Sequence, residues 1–315
     1  MEQLALQTLP FLRTLEGIRN PVFDKLFGLL TYLGDEKIFV VIALILYWCV
    51  SKTGGLYTMA TGFSSCSVGM ASKIFFHVKR PWNIDGYEDI AVDSAVGRAA
   101  DWSFPSGHTI VSVGTYGAIA VWFRQRWIRI AGIVLAVLIP LTRLYLGVHS
   151  PMDILGGALL ALVMIFLYLP LFRAGTKQKI RLALCLNLAI SLACLAWAYF
   201  AGGAVEMRFA EDPQNLANGY KNIWQLIGAN AAIWIAWEYD EAFLHFDTKA
   251  VWWVQLIKIA GGGLLLLGVQ TVIRKICGDN NASYCLANFA AIIAGAMFWP
   301  MSFRKLAALG ERAKN

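Results

Sequence analysis

Three observations predict an all-α fold, a polytopic bundle of about nine transmembrane helices preceded by a helix lying on the membrane surface. Of the 315 residues, 58% are apolar and only 15% charged, whereas a soluble domain carries about a quarter charged residues. Apolar runs recur along the chain, and a bilayer span needs roughly 20 mostly apolar residues. Lysines and arginines gather in alternate loops, as on the cytoplasmic side of a membrane. The net charge of +7 belongs to those loops, so no nucleic-acid partner is expected.

The first element covers residues 4–33, where Ile18, Val22, Leu26, Leu29 and Leu33 recur at helical spacing among charged residues. That pattern predicts an interfacial helix over 1–34. Gly34 ends it, and Asp35 and Glu36 open the next helix, where the dipole favours acids. The expected spans are 37–50, 55–77, 107–123, 128–147, 151–172, 181–200, 223–238, 251–273 and 284–303. All belong to one membrane domain of 1–315. Lys52, the arginines at 124, 126 and 129, the basic run 173–181 and the tail (Arg304, Lys305, Arg312, Lys314) then fall on one side. That side is expected to be cytoplasmic and the N-terminus external; Arg274 and Lys275 depart from the pattern. No basic segment precedes an apolar signal core, so targeting is expected to rest on the first span. The expected address is the plasma (inner) membrane.

Ionisable residues beside apolar spans are costly and need a reason. Three clusters stand out: Lys73 with Arg80-Pro81; Pro105-Ser106-Gly107-His108; and Arg143, His149 and Asp153. Lys73, Arg80 and Arg143 supply the fixed cations that a phosphate dianion needs. Ser106 and Gly107 open a helix, whose first N–H groups point toward an anion. Two histidines remain, one to attack phosphorus and one to protonate the leaving oxygen. His149 suits attack, because Asp153 lies one helical turn on and can orient the imidazole. His108 has no acid nearby in sequence, which suits the acid–base role. The span count puts all three clusters at the same, external face.

Together, Lys73-x6-Arg80-Pro81, Pro105-Ser106-Gly107-His108 and Arg143-x5-His149-x3-Asp153 resemble the three-part signature of the type 2 phosphatidic-acid phosphatase superfamily. The resemblance covers roughly residues 73–153 and departs at Thr142, where the family more often has Ser. It implies a six-helix catalytic core within 55–172 and additional C-terminal spans over 181–303. It also implies a metal- and cofactor-independent phosphatase with His149 as nucleophile, Asp153 orienting it and His108 as acid. Lys73, Arg80, Ser106, Gly107 and Arg143 would form the phosphate cradle. Nine spans with an external N-terminus look like the sphingosine-1-phosphate phosphatase and glucose-6-phosphatase branches.

The expected substrate is a lipid phosphate, a sphingoid-base phosphate or an isoprenoid diphosphate, because the site lies at the membrane surface. Transfer to an acceptor hydroxyl and hydrolysis of a sugar phosphate stay open, and so does oligomeric state. A transporter is disfavoured by the absence of an internal repeat. His77 and His245 read as structural. The loop at 82–101 holds Asp85, Glu88, Asp89, Asp93 and Asp101 against Arg98; the first four read as a solvated loop face, Glu238, Asp240 and Glu241 as anchors, and Gly261-Gly262-Gly263 as close helix packing. Cys277 and Cys285 allow a disulfide if their loop meets an oxidising compartment.

Overall fold

The computed structural model describes residues 2–97, 101–206 and 213–312 and contains no strand among them; Arg98 and Lys314 lie outside the described residues. Expected span 37–50 is α3 (Glu36–Ile45) with a π-turn to Val50, and span 55–77 is α4 (Lys52–Phe76). After the short α5 (Asp93–Val96), span 107–123 is α6 (Gly107–Ser112), joined through a π-turn to α7 (Ala118–Trp122). Then follow α8 (Arg126–Tyr145), α9 (Pro151–Arg173), α10 (Lys177–Glu206), α11 (Pro213–Tyr239), α12 (Trp252–Cys277) and α13 (Asn281–Ile293). Beyond α13 a π-turn and a 3₁₀ turn lead into α14 (Phe303–Arg312).

Five stretches are long and apolar enough to cross a membrane: α8, α9, 177–200 of α10, α12 and 281–309. Their outer faces carry Ile133, Val137, Leu155, Leu159, Leu264 and Leu267, each at least half exposed. A soluble protein rarely shows so much apolar surface, and the chain is an integral membrane protein. Helix α4 falls short on hydropathy for a physical reason. Its residues from Gly54 to Ser67 are all buried among α6, α9, α10 and α11, so it meets protein rather than lipid and can carry Ser, Thr and Gly.

Hydrogen bonds tie α4 to the C-terminal helices. Ser64 Oγ donates to Asn187 Oδ1 (2.6 Å), Asn187 Nδ2 to Asn230 Oδ1 (2.8 Å), and Asn230 Nδ2 to Ser191 Oγ (2.8 Å). Ser191 Oγ closes the chain onto Ser67 Oγ at 2.7 Å, and all five side chains are fully buried. Gly261 and Gly262 back onto Trp299 and Trp48, the close packing expected of them, whereas a Cβ at Gly263 would meet nothing within 4 Å, so the third glycine does not share that role.

The N-terminal expectation needs correction. Residues 4–33 are two helices, α1 (Glu2–Glu16) and α2 (Pro21–Leu30), followed by a 3₁₀ turn, Thr31–Gly34. Asn20 is the N-cap of α2, its Oδ1 accepting from Val22 and Phe23 N–H, with Pro21 at the first helical position. Asn-Pro is a helix start, and an uninterrupted apolar spacing concealed it. Helix α2 keeps an open apolar face, through Val22, Leu26 and Leu29, and α1 exposes Leu6 and Phe11. Helix α1 buries Leu9 and Leu12 against Ile90 of the 77–106 loop, and Arg13 pairs with Asp89 at 2.7 Å. That acid thus binds the N-terminal helix.

At the opposite end of the bundle Lys52, Lys177 and Arg181 pair with Asp240, Glu241 and Glu238. These are the structural anchors expected there. His77 and His245 each end a helical stretch in the left-handed conformation, with φ of 36° and 46°. Cys277 and Cys285 are free thiols.

Candidate active site

The three sequence clusters meet at one end of the bundle, around a cavity of about 400 Å³ whose walls include Arg80, Gly107, His108, Arg143 and His149. His149 sits in the turn between α8 and α9. Gly147 in that turn has φ of +70°, and a side chain there would strike the Ile90 carbonyl, so only glycine fits. The turn leaves the Val148 carbonyl facing Arg80 Nη1 at 3.0 Å.

Local helix chemistry fixes Asp153. Ser150 is the N-cap of α9; its hydroxyl accepts from Asp153 N–H, and Asp153 Oδ2 accepts from Ser150 N–H at 2.6 Å. This reciprocal capping box locks the carboxylate, and Ser103 Oγ donates to the same oxygen at 2.7 Å. Oδ2 then lies 3.5 Å from His149 Nδ1. The other ring nitrogen, Nε2, lies 2.8 Å from Arg80 Nη1. An arginine donates only, so Nε2 is the acceptor and Nδ1 carries the proton. Burial pushes His149 well below the ordinary imidazole range, and Arg80, Arg143 and Lys73 push the same way. The ring is therefore neutral, with its lone pair on the nitrogen facing Arg80.

The cradle residues divide into two layers. Arg80, Arg143 and Gly107 face the cavity, and a Cβ at Gly107 would meet no protein atom within 4 Å. Lys73 and Ser106 stand behind the wall. Lys73 Nζ donates to the Trp102 carbonyl (2.5 Å) and lies 3.2 Å from Asp101 Oδ2. Ser106 caps α6, its hydroxyl accepting from Thr109 N–H. Arg143 Nη1 donates to Thr31 Oγ1 at 3.0 Å. Thr142, the departure from the usual signature, donates to Ile139 O within its own helix, so that departure leaves the cavity unchanged.

Sequence reasoning missed five contributors. Asp101, one of the acids of the 82–101 loop and given no role there, bridges Arg80 Nη2 and Lys73. Burial pushes its carboxyl up, but Lys73 and Arg80 outweigh burial and hold it at about 2. Ser103 holds Asp153, Thr31 holds Arg143, and Asn218 and Asn222 of α11 line the cavity. Ser103 and Asp101 lie just before the Pro105 cluster, and that proximity was their one signal in the sequence.

An all-helical membrane bundle that gathers two imidazoles and two arginines around one cavity is built to bind a phosphate and form a bond to it. Residues 53–177 match the PAP2 superfamily, so this segment of the chain is a domain of the type 2 phosphatidic-acid phosphatase superfamily. It is similar to the undecaprenyl-diphosphatase of Sulfolobus acidocaldarius, 29% identical over 49% of this chain and 74% of that one. It is also similar to undecaprenyl-diphosphatase BcrC of Bacillus subtilis, 29% identical over 47% of this chain and 75% of that one. Phosphatidylglycerophosphatase B of Bacillus subtilis is 34% identical over 26% of this chain and 42% of its own length. No solved structure matches the chain.

Proposed function

We propose that this membrane enzyme hydrolyses a lipid phosphomonoester or diphosphate through a phosphohistidine on His149. One observation carries the reading. Two imidazoles line one cavity, and the one held by Asp153 presents an unprotonated Nε2 beside Arg80.

In the first step His149 Nε2 attacks phosphorus. The bond from phosphorus to the leaving oxygen breaks, its electron pair goes to that oxygen, and His108 supplies the proton. In the second step water attacks, His108 takes its proton, and the phosphorus–nitrogen pair returns to His149. Arg80, Arg143 and the N–H groups at the start of α6 offset the charge that builds on the phosphoryl oxygens. Asp153 fixes the Nδ1–H tautomer and stabilises the cationic phosphohistidine. These side chains supply charge and protons without a metal or cofactor.

Two relatives aligned over about half of this chain are named undecaprenyl-diphosphatases and a third, aligned over as much, a lipid A 1-phosphatase, which supports an isoprenoid diphosphate among the lipid substrates. The basic segments at the far end of the bundle support a site facing the extracytoplasmic side of the plasma membrane.

The test is phosphate release by the detergent-solubilised chain with EDTA present. The panel is phosphatidic acid, sphingosine-1-phosphate, undecaprenyl diphosphate, farnesyl diphosphate and glucose-6-phosphate, each beside His149→Ala. Release that EDTA spares and His149→Ala lacks is expected, with a lipid as the best substrate. Release retained by His149→Ala would end the proposal.

A further inference from the structure

The segment 31–36 lies outside the part of the chain that matches the superfamily, residues 53–177, yet it enters the catalytic cavity. Three contacts pin it there. Thr31 Oγ1 accepts from Arg143, and the Leu33 carbonyl accepts from Tyr116 Oη at 2.9 Å. Gly34 packs so closely that a Cβ on it would lie 2.7 Å from Ile139 Cγ2 and 3.3 Å from His108 Cδ2.

Asp35 follows. It occupies the N-cap position of α3, where an aspartate ordinarily accepts from the second or third backbone N–H of its helix. Here the side chain makes no capping hydrogen bond. Its Oδ1 lies 3.6 Å from His108 Nε2 instead, and both residues line the cavity. A capping oxygen is thus turned away from its helix and toward a catalytic ring. With the carboxylate at Nε2, Nδ1 is the ring nitrogen left to reach the leaving oxygen.

We infer that Asp35 is a positioning residue for His108, holding the imidazolium through its Nε2–H so that the Nδ1–H is delivered to the leaving group. The inference rests on the proposed assignment of His108 as the acid. The site then has two imidazole–carboxylate pairs, one for each half of the proton traffic. His149 takes its partner from the helix that follows it, and His108 takes its partner from a separate segment of the fold.

General acid help matters in proportion to the basicity of the leaving oxygen. Two monoester probes separate positioning from a structural role: dodecyl phosphate, which must expel an alkoxide, and p-nitrophenyl phosphate, whose phenolate leaves unaided. The Asp35 side chain gives α3 no capping hydrogen bond, so Asp35→Asn takes none away. For this variant kcat on dodecyl phosphate is expected to fall about tenfold or more, within the range general acid–base catalysis supplies. KM and the rate on p-nitrophenyl phosphate should change less than threefold. Asp35→Glu should restore part of the dodecyl phosphate rate. Equal losses on both substrates, or no loss on either, would overturn the inference and leave the proposed function standing. So would a wild-type chain that cleaves diphosphates and neither monoester, because it never has an alkoxide to protonate. A wild-type chain inert on every phosphate ester would sink the proposed function, and the inference with it.

Discussion

Asp101 bridges the two cations at the end of α4: its Oδ2 lies 3.2 Å from Lys73 Nζ while its Oδ1 accepts from Arg80 Nη2. A carboxylate thus occupies part of the charge that the signature assigns to phosphate. An incoming phosphoryl group competes with it for Arg80. Asp101→Asn is therefore expected to strengthen inhibition by inorganic phosphate several-fold, measured as a lower inhibition constant. A higher constant would mean that Asp101 serves mainly to hold Arg80 in place. The carboxyl sits at about 2 in the folded chain against an ordinary 3.8. A depressed carboxyl stabilises the fold above its unfolded value and loses that contribution as pH falls through the folded one. Its contribution should be complete above about pH 4 and disappear toward pH 2.

His149 must be unprotonated to attack, and its environment holds it well below the ordinary 6.5. The acid limb of kcat/KM for the free enzyme is expected below pH 6.5, because protonation sets in only under the folded value. The same shift favours folding at neutral pH and loses that advantage as pH falls through 6.5 and below, where the unfolded chain takes up the proton first. Activity titrating away between pH 8 and 7 would contradict this account of the ring.

Asp153 is both a helix cap and the partner of His149. Asp153→Asn keeps an oxygen for the capping box but lets the imidazole choose the wrong tautomer. A loss of roughly 10²–10⁴ in kcat is expected, by analogy with triad carboxylates. The thermal midpoint should change little. Unfolding of the variant at the assay temperature would point to the cap as the dominant role.

Thr31 holds Arg143 from the N-terminal segment. Thr31→Val removes a hydrogen bond to a charged group, worth about 1.5–3 kcal/mol. The expected result is a rise in KM of about tenfold or more, with a smaller change in kcat. Unchanged kinetics would show that Arg143 is fixed by its other neighbours.

Asn187 and Asn230 link α10 to α11 and both to α4. Interhelical hydrogen bonds in membranes average about 0.6 kcal/mol each, and Asn187→Leu breaks two involving its side chain while leaving Asn230 unsatisfied. The variant should lose thermal stability in detergent and keep its kcat at low temperature. Full stability would imply that packing alone holds the C-terminal helices.

The helices were legible because apolar run length decides what can sit in lipid, and each expected span falls on a helix. The signature residues were legible for a related reason: charge beside lipid demands a purpose. The break at Asn20-Pro21 escaped because the apolar spacing continues across it. Asp35, Thr31 and Asn222 were illegible as site residues because tertiary packing alone brings them to the cavity. The N-cap position of Asp35 even offered a sufficient local reason for an acid there. Asp101 was hidden by its company, since Asp89 of the same loop belongs to a contact with α1 and nothing in the spacing separates the two fates.

The buried polar face of α4 sets a problem for biogenesis. This helix leaves the ribosome before α10 and α11 exist, so Ser64 and Ser67 enter the bilayer without Asn187 and Ser191 to receive them. Order of synthesis therefore runs against order of packing. Those partners arrive only after more than a hundred further residues have been made, and until then Ser67 has the Phe63 carbonyl of its own helix to donate to.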